Sequence, residues 1–131
     1  MIKGEKMGTY KDLVVWQNSI RLVKNVYSRT SKFPMNETHG ITSQIRRAAV
    51  SVPANICEGC ARGSPREFRH FLRISFASLM ELETLLILAS EIKYLSKDDF
   101  DNLHSQIKLV TVQISRLIQS VEKEILKFPK Q

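Results

Sequence analysis

The stretch that decides the fold covers residues 96–121 and reads SKDDFDNLHSQIKLVTVQISRLIQSV. Its large apolar residues recur at alternating intervals of three and four, which is the heptad pattern of an α-helix that buries one seam. Ser96 is the predicted N-cap, and the aspartates after it suit the positive end of the helix dipole. We therefore predict one long helix, whose seam consists of Phe100, Leu103, Ile107, Val110, Ile114, Leu117 and Val121.

The preceding segment has its own helix signals. Ser64 is a predicted N-cap, Pro65 suits the first helical position, and Glu67 is placed to close a capping box. The helical period continues to about Tyr94, with a seam made of Leu72, Leu79, Leu82, Leu86 and Ala89. A second apolar line exceeds what one bundle core needs, so we expect it to meet another subunit. This line consists of Phe68, Phe71, Ile74, Leu85 and Ile92.

Two earlier segments show the same period. The first is expected to have Asp12 as N-cap and to stop at Phe33-Pro34, with a seam made of Leu13, Trp16, Ile20, Val23 and Tyr27. The second is expected to have Asn36 as N-cap and to end near Gly59 and Gly63. Its seam is made of Ile41, Ile45, Ala48, Val52 and Ile56. Pro53 lies inside this seam and predicts a kink, because proline removes one helical hydrogen bond and clashes with the preceding turn.

Four long helices with short connections, and no strand-like alternation, predict an all-α protein. The architecture we expect is an antiparallel up-down-up-down four-helix bundle with its second helix kinked at Pro53. Residues 10–127 should form this single domain, between a flexible N-terminus at 1–9 and a C-terminal tail at 128–131. The first nine residues contain no apolar run, and two cysteines are too few for a disulfide framework. A cytoplasmic location is therefore expected.

Basic residues are the main pointer to function. The chain has 20 Lys and Arg against 13 Asp and Glu, a net charge of +7, which favours a polyanionic partner. Solubility alone is the alternative explanation. The candidate nucleic-acid-binding residues are Arg46, Arg47, Arg62, Arg66, Arg69 and Arg73. The first helix offers a second basic face, ranked below the first, through Arg21, Lys24, Arg29 and Lys32.

The polar residues around Pro53 have a structural interpretation as well. Ser51 and Asn55 could bond backbone groups that the proline leaves free, and Glu58 could pair with an arginine of a neighbouring helix. Together with Glu81 and Glu83 they are assigned to a polar network that fixes the register of the bundle. The same region could instead be a kinked basic surface for a polyanion or a protein.

Nothing in the sequence has the pattern of a catalytic or metal site. Cys57 and Cys60 have the C-x-x-C spacing but no second ligand pair, so two partly buried thiols are the simpler interpretation. Two motifs that pair an acid with a histidine, Glu67 with His70 and Asp101 with His104, lie near helix starts, where acids are common anyway. No nucleophile elbow or phosphate-binding glycine loop occurs. We expect no enzymatic activity, cofactor or metal.

With these residues in view, the chain resembles the bacterial four-helix-bundle proteins first noticed as products of intervening sequences within 23S rRNA genes. The resemblance spans Tyr10 to about Ile125, and its central motif is QIRRAAVSVPANI of residues 44–56. It rests also on shorter stretches along the chain: Tyr10–Leu13 with Trp16, Phe33-Pro34, Glu58-Gly59, Glu67-Phe68, Phe71-Leu72 and LMELET of residues 79–84. It implies an antiparallel four-helix bundle that assembles into a ring-like homopentamer. In a related branch, which accompanies diversity-generating retroelements, a basic barrel of this kind binds nucleic acid and the reverse transcriptase.

These observations lead to one hypothesis with two alternatives. The leading hypothesis is a non-enzymatic, oligomeric module that binds RNA or DNA, or a ribonucleoprotein partner such as a reverse transcriptase. The second is a protein–protein scaffold whose basic charge is incidental. The third, ranked last, is a metal-dependent enzyme.

Overall fold

The fold is described here from a computed structural model that covers residues 9–128. Two short 3₁₀ helices precede the first and second long helices, at Tyr10–Asp12 and Met35–Glu37. The four long helices are α1 (Val14–Thr30), α2 (Ile41–Ala61), α3 (Pro65–Glu91) and α4 (Lys97–Lys127). In these residues there is no strand, so the predicted all-α four-helix bundle is confirmed. The predicted terminal segments, 1–9 and 128–131, lie outside the described residues except for Thr9 and Phe128.

The core is built largely from the predicted seams of α2, α3 and α4, whereas the predicted seam of α1 is wrong. Its members are only half-buried, and Tyr27 is 42% exposed. The buried side of α1 is the neighbouring stripe, which consists of Val15, Ser19, Leu22, Val26 and Thr30. Apolar spacing missed this stripe because two of its members are polar, and their hydroxyls are satisfied by backbone carbonyls of the same helix.

Of the α4 seam, Phe100 and Leu117 are half-buried and the other members are fully buried. All four helices contribute large side chains without exposed surface, among them Leu22, Ile45, Leu82 and Ile114. Burial of apolar surface stabilises such a bundle by about 25 cal/mol per Å². None of the helices in residues 9–128 has the length and apolar character needed to cross a membrane.

The starts of α3 and α4 agree with the prediction. The Ser64 hydroxyl accepts a hydrogen bond from the Glu67 backbone N–H at 3.3 Å, and Ser96 does the same for Asp99 at 3.1 Å. The capping box at Ser64 is not closed, however, because the Glu67 carboxylate bonds Arg62 instead. A charged guanidinium competes successfully with the backbone for that carboxylate.

The predicted starts of α1 and α2 are wrong. Asp12 belongs to the first 3₁₀ helix, where its carboxylate closes a capping box, and Leu13 is the N-cap of α1 without a capping side chain. Asn36 belongs to the second 3₁₀ helix, and Gly40 is the N-cap of α2. In both places the residue predicted as the N-cap of the long helix is instead part of a short 3₁₀ helix that precedes it.

The far end of α3 differs slightly from the prediction. The helix ends at Glu91 rather than near Tyr94, because Lys93 adopts a left-handed backbone with a φ of 70°. The Tyr94 hydroxyl then donates to the Glu37 carboxylate at 2.9 Å, and its ring packs on Phe33 at 5.7 Å between centroids. The hydrogen bond to Glu37 raises the pKa of Tyr94. This contact joins the α1–α2 and α3–α4 connections.

Helices α2 and α3 approach each other closely. α2 continues through Pro53 without breaking in two, whereas the kink there stays a prediction. The Ser75 hydroxyl of α3 donates to the Val52 carbonyl of α2 at 2.9 Å. The approach is also close at Gly59, since a Cβ added there would lie 2.8 Å from the Cβ of Phe71. Small residues therefore set the distance between these two helices.

The second apolar line of α3 is divided between two environments. Phe68 is buried in the core of the single chain, which removes it from the surface expected to meet another subunit. Phe71, Ile74 and Leu85 are half-buried, and Ile92 is exposed. The part of the line that remains available for a subunit contact is therefore smaller than the sequence predicts.

Candidate nucleic-acid interface

Arg46 and Arg47 lie near the start of α2 and have different surroundings. The Arg46 guanidinium donates to the Thr30 hydroxyl at 3.0 Å and stacks over the Tyr27 ring at 4.4 Å from its centroid. Arg47 is exposed and has no ion-pair partner among the described residues. Both line an open groove between α1 and α2, beside the buried Thr42 hydroxyl, which has no hydrogen-bond partner within residues 9–128. Arg47 is thus the more available of the two.

Arg62 lies at the connection from α2 to α3 and is held by two carboxylates. Its guanidinium donates to Glu58 at 3.0 and 2.8 Å and to Glu67 at 3.3 Å. The guanidinium also lies over the Phe71 ring, 4.9 Å from its centroid. The hydrogen bond that Arg62 donates to Glu58 raises the pKa of Arg62. A phosphate that approached Arg62 would therefore meet two negative charges beside one positive charge.

Arg69 and Arg73 share one acidic partner on α4. Arg73 bonds the Glu122 carboxylate at 2.9 Å, and Arg69 lies 3.9 Å from the same oxygen. Arg66 lies exposed at the start of α3, next to this group. The four arginines of the α2–α3 corner, which we define as Arg62, Arg66, Arg69 and Arg73, are thus accompanied by three carboxylates. Their net charge is close to +1.

The six arginines proposed as one binding surface do not form one patch. Arg47 and Arg62 are separated by 15 residues of α2, which corresponds to about 22 Å along a helix. That distance exceeds the Debye length of about 10 Å at 0.1 M salt, so the two groups act independently on a charged ligand. The structure places Arg46 and Arg47 near one end of the bundle and the α2–α3 corner near the other.

The proposed polar network is also divided. Ser51 and Asn55 are brought together, since the Asn55 amide donates to the Ser51 hydroxyl at 2.9 Å and to its carbonyl at 2.8 Å. Ser51 extends this cluster to Ser78 on α3, with 2.7 Å between the hydroxyl oxygens. Glu58 does not take part. It pairs with Arg62 at the end of its own helix rather than with a neighbouring helix, because the i,i+4 spacing places the two side chains side by side.

The two acids of α3 have different neighbours. The Glu83 carboxylate is 2.7 Å from Nε2 of His104, which joins α3 to α4. Glu81 is exposed and lines a shallow depression with Arg47 and Ser51, which keeps it beside the Ser51–Asn55 cluster. The five residues assigned to one network therefore occupy three separate places.

The thiols and the acid–histidine pairs do not assemble into a metal site. Cys57 and Cys60 are free and half-buried. Burial raises the pKa of the Cys60 thiol, and the neighbouring Cys57 adds to that rise. A hydrogen bond with Cys57 raises the pKa of Tyr10. Between residues 9 and 128 no three His, Cys, Asp or Glu side chains are grouped closely enough to hold a metal ion.

Uncharged amides form most of the polar contact between α1 and α4. The Asn18 amide donates to Gln113 at 3.1 Å, and the Asn25 amide donates to Asn102 at 2.6 Å and to Gln106 at 2.5 Å. We call these side chains the amide seam. An ion pair joins the two helices at one end of the seam, where Arg29 and Lys32 meet Asp99.

Comparison with known proteins assigns this sequence to a protein family. The family model described as 23S rRNA-intervening sequence protein matches residues 11–120. The chain belongs to this family. A solved structure from Bacteroides thetaiotaomicron, described as a protein with unknown function from the S23 ribosomal protein family, matches with a TM-score of 0.73. The match has 23% sequence identity and covers 80% of this chain and 98% of that one, so it shows a shared fold. No curated protein matches the sequence.

In this member of the 23S rRNA-intervening sequence family, sequence reasoning overlooked the cations of α4. Lys108 and Arg116 are exposed and have no carboxylate partner among the described residues. A signal for them exists in the sequence, because residues 102–121 contain no Asp or Glu. Of the four cations proposed on α1, Arg29 and Lys32 are paired with Asp99. Arg21 bonds only Asn18 on its own helix, and Lys24 has no such partner in the described part.

Proposed function

We propose that this protein is a non-enzymatic, oligomeric module that binds RNA or DNA through basic surfaces, either directly or within a ribonucleoprotein that contains a reverse transcriptase. One observation supports this most. Most carboxylates of residues 9–128 already have a partner, whereas several exposed cations have none. These cations are Lys24, Arg47, Lys108, Arg116 and Lys123. Unpaired cations release the counterions of a polyanion when they bind it, and this release supplies affinity without base recognition.

The oligomeric part of the proposal rests on apolar side chains at the end of α3. Ile87, Leu88 and Ile92 are 45%, 47% and 44% exposed on one short stretch of helix. Single exposed apolar residues are ordinary, but a group of them favours a surface that another subunit covers. Glu91 and Lys93 lie beside them with opposite charges, which suits contact between copies of one chain. The family resemblance suggests five copies in a ring.

A salt titration tests the nucleic-acid part. Fluorescence anisotropy of labelled single-stranded RNA and DNA, measured with the full chain at several salt concentrations, should show binding that weakens as salt rises. Polyglutamate serves as the control polyanion, because it is acidic but has no phosphates. If neither RNA nor DNA binds at low salt, the nucleic-acid proposal is wrong, and a protein–protein scaffold becomes the better account. Binding to polyglutamate as tight as binding to RNA would also contradict it.

Sedimentation velocity tests the oligomeric part independently. The full chain should sediment as an assembly of several copies at micromolar concentration, and the variant Leu88→Lys should shift the distribution towards the monomer. Ser105→Lys adds the same charge at an exposed position on α4 and serves as the control. A wild-type protein that sediments as a monomer would contradict this part of the proposal.

A further inference from the structure

Two neighbouring helices of the bundle lack acidic residues over most of their length. The span 14–30, which is all of α1, contains no Asp or Glu, and neither does the span 102–121 of α4. These spans correspond to about 25 and 30 Å of helix, which is enough to meet several phosphates of one strand. We define the α1–α4 face as the exposed side chains of these two spans. On α4 this surface reaches round to the flank next to α3, because Lys108 lies one turn after His104, which contacts Glu83.

Four cations on the α1–α4 face are exposed, and none bonds a carboxylate. Lys24, Lys108 and Arg116 have no ion-pair partner among residues 9–128, and the Arg21 guanidinium bonds only the neutral Asn18 side chain at 2.7 Å. Nothing within the two spans offsets their charge. By contrast, the four arginines of the α2–α3 corner are accompanied by Glu58, Glu67 and Glu122. Each surface has four cations, but the local net charge is more positive on the α1–α4 face than at the α2–α3 corner.

Most acids that border the α1–α4 face already have partners, although the exposed Asp98 in the first turn of α4 has no ion-pair partner among residues 9–128. Asp99 contacts Arg29 and Lys32 at one end of the amide seam, and Asp101 pairs with Lys97 at 2.8 Å. On the opposite flank of α4, Glu83 contacts His104 and Glu122 contacts the two arginines of α3. These pairings reduce the negative field that the borders would otherwise project onto the face.

Neutral hydrogen-bonding groups lie among the cations, together with two exposed apolar side chains of α4, Leu109 and Val112. The amide seam lies between the two helices, and further exposed amides and hydroxyls stand on the outer turns: Gln17, Ser28, Ser105, Gln119 and Ser120. Such groups are frequent partners of phosphate and sugar oxygens. The α4 span contains no Phe, Tyr or Trp on which a base could stack, and on α1 the exposed Tyr27 ring is covered on one side by the Arg46 guanidinium. The chemistry therefore suits the backbone of a nucleic acid rather than its bases.

We propose that the α1–α4 face, and not the α2–α3 corner, is where the phosphodiester backbone of a nucleic acid binds. This inference rests on the proposed function, since it locates the surface that such binding would use. It predicts recognition without base sequence, so that RNA and DNA strands of equal length should bind within a few-fold of each other.

Two triple variants with the same change in net charge test the location. The first neutralises the α1–α4 face through Lys24→Gln, Lys108→Gln and Arg116→Gln. The second neutralises the α2–α3 corner through Arg62→Gln, Arg69→Gln and Arg73→Gln. Because both remove three positive charges, the overall field of the protein falls equally, and only the position differs. The probe is a fluorescein-labelled single-stranded RNA of about 20 nucleotides, long enough to follow either surface.

The α1–α4 variant should weaken RNA binding at least tenfold at low salt. It should also flatten the dependence of log affinity on log salt by about 2, because each lost contact with a single strand contributes about 0.7. The α2–α3 variant should stay within about threefold of the wild type, because its arginines are already compensated. Circular dichroism and sedimentation of each variant check that the bundle and its assembly remain intact. If the second triple variant does not fold, the single variants Arg73→Gln and Arg116→Gln provide the same comparison.

The outcomes separate the two proposals. A greater loss with the α2–α3 variant, or equal losses with both, would overturn the assignment to the α1–α4 face while leaving nucleic-acid binding in place. Absence of binding by the wild-type protein to both RNA and DNA at low salt would instead refute the proposed function itself. A preference for one base sequence greater than tenfold would contradict recognition through the backbone alone.

Discussion

Replacing Gly59 with alanine should destabilise the protein, although the same change in most helices is stabilising. Gly59 is buried in α2 where this helix faces α3. A Cβ at this position would lie 2.8 Å from the Cβ of Phe71 and 3.0 Å from a ring carbon of Phe68. The Phe68 ring is itself buried in the core, and the Phe71 Cβ is fixed to its backbone, so neither contact is easily relieved. The two helices would have to separate by about 0.6 Å to restore an ordinary contact of 3.4 Å.

The magnitude follows from two opposing terms. Alanine is favoured over glycine in a helix by about 1 kcal/mol. Overpacking of a close-packed interior costs about 1–3 kcal/mol, and the upper part of that range applies where no side-chain rotation relieves the contact. We therefore expect Gly59→Ala to lower the free energy of unfolding by about 1–2 kcal/mol.

Urea unfolding followed by circular dichroism measures this change, with all samples at one protein concentration because assembly affects stability. The reverse substitution Ala54→Gly at an exposed position of the same helix is the matched control. It should cost about 1 kcal/mol through helix propensity alone. If Gly59→Ala instead raises the stability by the amount that Ala54→Gly removes, the close approach of α2 and α3 does not exist as described.

Three further predictions concern other parts of the bundle. Ser64→Ala should cost about 1 kcal/mol in urea unfolding, because the N-cap bond of α3 is lost; no change would mean that this cap does not form. Ile114→Ala should cost about 2–5 kcal/mol by leaving a cavity in the core, whereas Val112→Ala, on the same helix but 47% exposed, should cost less than about 1 kcal/mol; similar losses would contradict the seam. Cys60 should react slowly with iodoacetamide at neutral pH and faster as the pH rises, because burial raises its thiol pKa and only the thiolate reacts. The alkylation can be followed by mass spectrometry in the variant Cys57→Ala, in which Cys60 is the one remaining cysteine of the chain. Fast alkylation at neutral pH would contradict this prediction.

The parts of the fold that depend on local sequence could be predicted. The seams of α3 and α4 and their serine caps depend on neighbours within a few residues, and these predictions agree with the structure. Asp12 and Asn36 look like equally good caps, but each is taken up by a 3₁₀ helix. Which of two local conformations forms there depends on how the chain must enter the bundle, and the sequence around the cap does not contain that information.

The candidate interface could be predicted only in part, since its charges depend on distant partners. Six arginines stand out in the sequence, yet the acid that compensates Arg73 is Glu122, 49 residues away. Likewise Arg29 is paired with Asp99, which lies on another helix. Whether a cation is available to a ligand depends on the packing of the helices. Counting arginines along the chain therefore overestimated the net positive charge of the α2–α3 corner. The scarcity of acids in two spans was visible in the sequence, but only the packing of α1 against α4 makes it one surface.

The uncharged character of the contact between α1 and α4 has a practical consequence. Hydrogen bonds between Asn18 and Gln113, and from Asn25 to its two partners, are hardly weakened by ionic strength, whereas contacts of cations with phosphates are. A salt gradient on a heparin or phosphocellulose column should therefore elute the protein in its native conformation, with the helices that face the resin still joined. The protein should therefore release a bound polyanion at a salt concentration at which it is still folded.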